Sequence, residues 1–162
     1  MGLAQDLLQQ ADHLAAYEGV NPSQASLRRS VSTAYYALFH LLIEHAAPRW
    51  QGSSEARTGF ERGFQHGSMK NVSMQFRRPV WQDWHGNQQP VPLALRRVAG
   101  AFVDLQDERH TADYDNHEQW SASEAQAMVN KAHSAFQEWQ SICTDPMAGN
   151  YLVAMLLSKQ RS

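Results

Sequence analysis

An arginine and a carboxylate stand where apolar residues belong in the segment "LALRRVAGAFVDLQDERHTADYD". Leu95, Val98, Phe102 and Leu105 recur at helical spacing, and the same stripe continued meets Arg109 and, one turn on, Asp113. A lone charge pointing into a core costs several kcal/mol, so the two are either paired or set in a wet pocket. If they pair, the pair is a clamp at a helix end. If they line a pocket, the planar fork of Arg109 suits two-point contact with a phosphate oxyanion.

A second stretch, "SLRRSVSTAYYALFHLLIEHA" over residues 26–46, is apolar yet carries Arg28, Arg29, Tyr35, Tyr36, His40 and His45. On a helical wheel Leu27, Val31, Ala34, Tyr35, Leu38, Leu41 and Leu42 share one broad face. Arg29, Ser32, Tyr36 and His40 form a neighbouring polar stripe, and Ser30, Thr33, Ala37 and Glu44 make the outward arc. The stripe is either the satisfied edge of a core or a groove facing a ligand or a second subunit.

Other chemistry is less well supported. His110, Asp113 and His117 would share a helix face and suit a transition metal, but "DYDNHEQW" reads as a helix end, and no HExxH or CxxC pattern occurs; no metal and no cofactor is expected. Gly52, Gly59, Gly63 and Gly67 do not form a phosphate loop. Arg77 and Arg78 with Trp81 and Trp84 either stack on single-stranded RNA or pin their segment to the body. Cys143 is alone, which excludes an intrachain disulfide.

Four long helical patterns must position these groups. Leu3, Leu7, Leu8, Ala11, Leu14 and Ala15 predict a helix over 3–17; the second runs from about Leu27 to His45, after a break at "GVNPS". The third carries Arg109. The fourth opens on a capping box, Ser121 to Glu124, and Asp145 followed by Pro146 starts a short last helix. Residues 47–92 read as a partly helical, loop-rich insertion: one or two short helices broken at Gly63 and Gly67, then a loop through "RRPVWQDWHGNQQPVP", with no hairpin signal. The fold expected is all-α, a single domain over 1–162 in an up-and-down bundle of four to five helices.

The totals agree with that class. The chain has 162 residues, 43% hydrophobic and 19% charged, with a formal charge of −2, so any nucleic-acid binding must come from a local basic cluster. Asp6 and its polar neighbours interrupt any signal-peptide pattern, and no window is apolar enough to span a membrane. A cytoplasmic protein is expected.

"LRRSVSTAYYALFH" and "ERHTADYD" together resemble the HEPN superfamily, in particular its single-domain bacterial members. The "FQHGSMK" run is similar too, and brings in His66 and Lys70. The resemblance implies a helical bundle, commonly a homodimer, that binds RNA or nucleotides. Many members are metal-independent ribonucleases of toxin–antitoxin or defence systems; others are non-catalytic modules. It also implies a partner such as an antitoxin or a nucleotidyltransferase. In the ribonucleases an Arg holds the scissile phosphate, and a following His assists attack by the 2′-hydroxyl. Arg109 takes the Arg position here, Tyr114 falls where the His is looked for, His110 directly follows the Arg, and His117 lies just past the window. The resemblance therefore implies Arg109, Asp113, Tyr114, His40 and His110 as catalytic candidates. Arg29, Ser32, Tyr36, His66 and Lys70 are the substrate-binding ones.

Overall fold

The computed structural model describes residues 2–16, 21–47, 59, 64 and 66–158. Among them are six α-helices and one two-stranded hairpin: α1 (Leu3–Ala16), α2 (Gln24–Ala46), α3 (His66–Phe76), β1 (Val80–Gln82), β2 (Gln88–Pro90), α4 (Leu93–Tyr114), α5 (Ala122–Ile142) and α6 (Pro146–Leu157). The class is all-α, as helical bundles are. No described helix is long and apolar enough to cross a membrane. The chain divides into two compact units, and the divisions fall within α2, α4 and α5.

The first unit holds Met1–Leu41 and Asp104–Phe136. In α1 the buried residues are Ala4, Leu8, Ala11 and Ala15, a single apolar stripe. The Ser23 hydroxyl accepts from the Ser26 N–H at 3.1 Å and so caps the start of α2. α2 departs from expectation on its outward arc alone. Ser30, Thr33 and Ala37, placed on the outward arc by the wheel, are 0%, 5% and 0% exposed. Their side chains are small enough for close packing, and Ser30 brings its own acceptor by donating to the Leu27 carbonyl at 2.7 Å. Leu27, Val31, Ala112, Trp120 and Ala125 form one buried cluster, with Met128 packed against it. The capping box of α5 forms as read: the Glu124 N–H donates to the Ser121 hydroxyl at 3.0 Å, and the Ser121 N–H to the Glu124 carboxylate at 3.2 Å.

The second unit holds Leu42–Val103 and Gln137–Ser162. α3 packs on α6, where the hydroxyls of Ser73 and Tyr151 meet at 2.6 Å out of solvent. The Asp145 carboxylate accepts from the Met147 N–H and caps α6, with Pro146 in its first turn. Most of the short-helix expectation between 47 and 65 lies outside the described residues. Within them Gly67 does not break α3: it sits in the first turn, where a helix has few internal bonds to lose.

The segment read as a loop is a hairpin. Val80 pairs with Pro90, Trp81 with Gln89 and Gln82 with Gln88. Asp83 holds the turn: its carboxylate accepts from the N–H groups of His85 and Asn87 and from the Gln89 amide, and these bonds, the Gln89 amide first, keep it below the usual aspartate range. Gly86 takes φ 85°, the left-handed region open to glycine. Trp81 then packs its ring on Phe76, centroids 4.7 Å apart.

Candidate functional site

The first unit brings one stripe of α2 against the end of α4. The contacts advance along α2 a turn at a time while they retreat along the later segment. The Gln24 side chain donates to the Trp120 carbonyl at 2.7 Å and accepts from the Trp120 N–H at 2.9 Å. One nitrogen of Arg28 donates to the carbonyls of Ala112 and Asp115, at 2.9 and 2.7 Å, and the other to that of Glu118. Ser32 donates to the Asp113 carboxylate at 3.3 Å. Tyr35 and Tyr36 then lie under the Arg109 guanidinium, 5.1 and 5.8 Å from ring centroids to the central carbon.

Arg109 and Asp113 thus do stand beside α2, as the continued stripe of α4 demands. The side chains are 13% and 28% exposed, and their nearest polar atoms lie 3.6 Å apart, too far for a tight hydrogen-bonded pair. The rings of Tyr35 and Tyr36 meet edge to face, centroids 5.2 Å apart, and give the cation an electron-rich floor. The Nε–H of Arg109 is buried, and nothing among the described residues accepts from it. A guanidinium in this state retains donor capacity in a partly dry setting, which strengthens any oxyanion contact it makes.

Of the other candidates, Ser32 and Tyr36 join this cluster and Arg29 does not: it is exposed, and its neighbour Arg28 faces α4 instead. His40, one turn past Tyr36, is half-buried with its ring edge-on to Phe39 at 5.3 Å. Tyr114 ends α4 at 67% exposure, and its ring lies 5.0 Å from that of His110, itself exposed. His66 and Lys70 are on α3, half-buried, in the second unit. Among the described residues no three His, Cys, Asp or Glu side chains gather as a metal site. Burial raises Glu108 above the usual glutamate range, helped by Glu118, Asp107 and Asp104 and opposed by Lys131.

Two contributors were missed by the wheel, Gln24 and Arg28. The signal was present: Gln24, Arg28, Ser32 and Tyr36 fall at i, i+4, i+8 and i+12. That row is straighter than the one through Arg29.

In the second unit Trp81 pins the hairpin, 5% exposed, and Trp84 remains 49% exposed, edge-on to Trp81 at 5.0 Å. A row of touching rings continues inward through Phe76, Tyr151, Trp139 and His45. Two open clefts flank Trp84. One of about 540 Å³ lies toward Pro90, Met147 and Asn150, and one of about 1160 Å³ toward Val72, Arg78 and Leu157. Compared with known families, curated proteins and solved structures, the chain matches none of them.

Proposed function

We propose that this chain is a HEPN-like protein that binds RNA or a nucleotide, with Arg109 as the phosphate ligand. The observation that carries the reading is the Arg109 guanidinium: seated on Tyr35 and Tyr36, loosely paired with Asp113, and holding a buried N–H that no described residue accepts. Asp113, tied to Ser32, orients the guanidinium without neutralising it at close range. His110 and Tyr114 stand at the open end of the same helix, where a bound ribose would meet an imidazole and a phenol. In the ribonuclease form of the proposal His110 takes the 2′-hydroxyl proton, because an imidazole serves as a general base near neutrality and a phenol does not. The oxygen then attacks the adjacent phosphorus, the 5′-oxygen of the next nucleotide leaves, and a 2′,3′-cyclic phosphate remains. A homodimer would set two such clusters face to face.

The second reading, a non-catalytic module for a nucleotide or for a nucleotidyltransferase or antitoxin partner, is favoured by the tyrosine at the position where an imidazole belongs. One experiment separates the two. Purified protein is incubated with mixed RNA in EDTA and the product ends are probed for cyclic phosphate, alongside filter binding of RNA and nucleotides. Cleavage abolished in Arg109→Met supports the ribonuclease. Binding without cleavage, lost in the same variant, supports the module. Neither binding nor cleavage by the wild-type chain overturns the phosphate role of Arg109.

A further inference from the structure

We infer that Gln24 and Arg28 are positioning residues, which fix the end of α4 against α2 and thereby set where Asp113 stands beside Arg109. The inference rests on the RNA reading above for its functional meaning. Its geometry is independent of that reading.

Everything the two side chains hold is main chain. Gln24 clasps both backbone polar groups of Trp120, and Arg28 gathers the carbonyls of Ala112, Asp115 and Glu118. The Ala112 carbonyl belongs to the last turn of α4, where a helix has acceptors without internal partners, and a cation there also meets the negative end of the helix dipole. Asp113 follows Ala112 directly, so the carboxylate on Ser32 and Arg109 hangs from a backbone that Arg28 anchors on either side. Since the grip is on the backbone, the side chains from Asp115 to Gln119 all remain exposed. A fork is needed for this: a lysine has no planar pair of nitrogens to reach carbonyls that lie six residues apart in the chain.

The test compares Arg28→Met, Arg28→Lys, Gln24→Ala and Arg109→Met with the wild-type chain. Arg97→Met, which removes an exposed ion pair with Glu138, serves as the control. Binding of a fluorescent mixed-sequence single-stranded RNA is followed by anisotropy across a salt series. Temperatures are kept well below each variant's melting point, and helix content is checked by circular dichroism. Arg28→Met weakens binding about tenfold, the low end of what supporting residues contribute at metal sites. The slope of log K against log salt stays at its wild-type value, since no phosphate contact is lost. Arg28→Lys recovers part of the affinity. Arg109→Met lowers the slope by about 0.7, one phosphate contact on a single strand.

Wild-type affinity in a folded Arg28→Met overturns the positioning role while leaving that of Arg109 intact. A slope reduced as in Arg109→Met overturns it too, by making Arg28 a phosphate ligand. Should Arg28→Met fail to fold, Gln24→Ala is judged by the same two readouts, with hydrogen exchange at the Trp120 amide reporting loss of the clasp. No binding by the wild-type chain fails the underlying reading, and the inference with it.

Discussion

Replacing Arg109 by methionine asks whether the residue serves the fold or a ligand. Two contributions disappear. The cation resting on Tyr35 and Tyr36 is worth about 1–2 kcal/mol at a partly desolvated site. The pair with Asp113, 3.6 Å apart and still in reach of water, is worth about 0–1 kcal/mol. Two contributions arise in return. The buried Nε–H without an acceptor is removed, which relieves about 1–3 kcal/mol, and a thioether on the same rings regains about 0.3–1.5 kcal/mol. Asp113 is not stranded, because Ser32 still donates to it. Taken at the middle of their ranges the two sides cancel to within about 1 kcal/mol, which corresponds to a shift of about 2–4 °C in melting temperature. Thermal and urea denaturation followed by circular dichroism measure it. A loss beyond about 3 kcal/mol, the size seen when a buried charge pair is broken, would refute the reasoning and make Arg109 a structural clamp. Arg28→Met is the internal contrast. It gives up charge-assisted bonds to three carbonyls and destabilises by about 2–3 kcal/mol, even though water reaches part of the turn.

Other expectations concern the fold. Ser73→Ala strands the fully buried Tyr151 hydroxyl and costs about 1–3 kcal/mol, and the Ser73→Ala/Tyr151→Phe double variant recovers most of that in urea denaturation. Burial pushes the Tyr151 phenol far above its ordinary value of 10.0, so the folded chain holds that proton more tightly than the unfolded one. Its contribution to stability is complete below pH 10.0 and falls as pH rises beyond it, a decline that denaturation of Tyr151→Phe at alkaline pH lacks. Glu108 is raised from 4.5, so its ionisation opposes folding above that range and the cost fades as pH falls through the raised value toward 4.5. Glu108→Gln therefore melts higher than the wild-type chain at pH 7, and the difference vanishes near pH 4.

The helices were legible because their cues are local. The Leu8, Ala11 and Ala15 part of the α1 stripe, the capping box of α5 and the Asp145–Pro146 start of α6 are each fixed within a turn or two of sequence, although Ala4 and not Leu3, which is 52% exposed, continues that stripe. Arg109 was legible for a related reason, a charge on an otherwise apolar stripe. The choice between Arg28 and Arg29 was not. Adjacent positions differ by about 100° on a helix, and which one meets α4 depends on where α4 lies. The burial of Ser30, Thr33 and Ala37 was hidden similarly, since small and hydroxyl side chains suit either a surface or a tight contact. The hairpin escaped notice because its strands are three residues each, too short for alternation to register. Its strength lies in the Asp83 bonds and in the ring of Trp81 on Phe76.

The near-complete enclosure of α2 has a consequence for how the chain is made. From Leu27 to Leu41 this helix offers water little beyond parts of Arg28, Arg29, Tyr36 and His40. In the first unit it shares its cover with residues 104–136, which leave the ribosome long after it does. At about 5–20 residues per second, several seconds pass with an apolar segment made and its partners unmade. Nascent chains halted before α4 should therefore be the ones that holdase chaperones capture, and chains released after α5 should not.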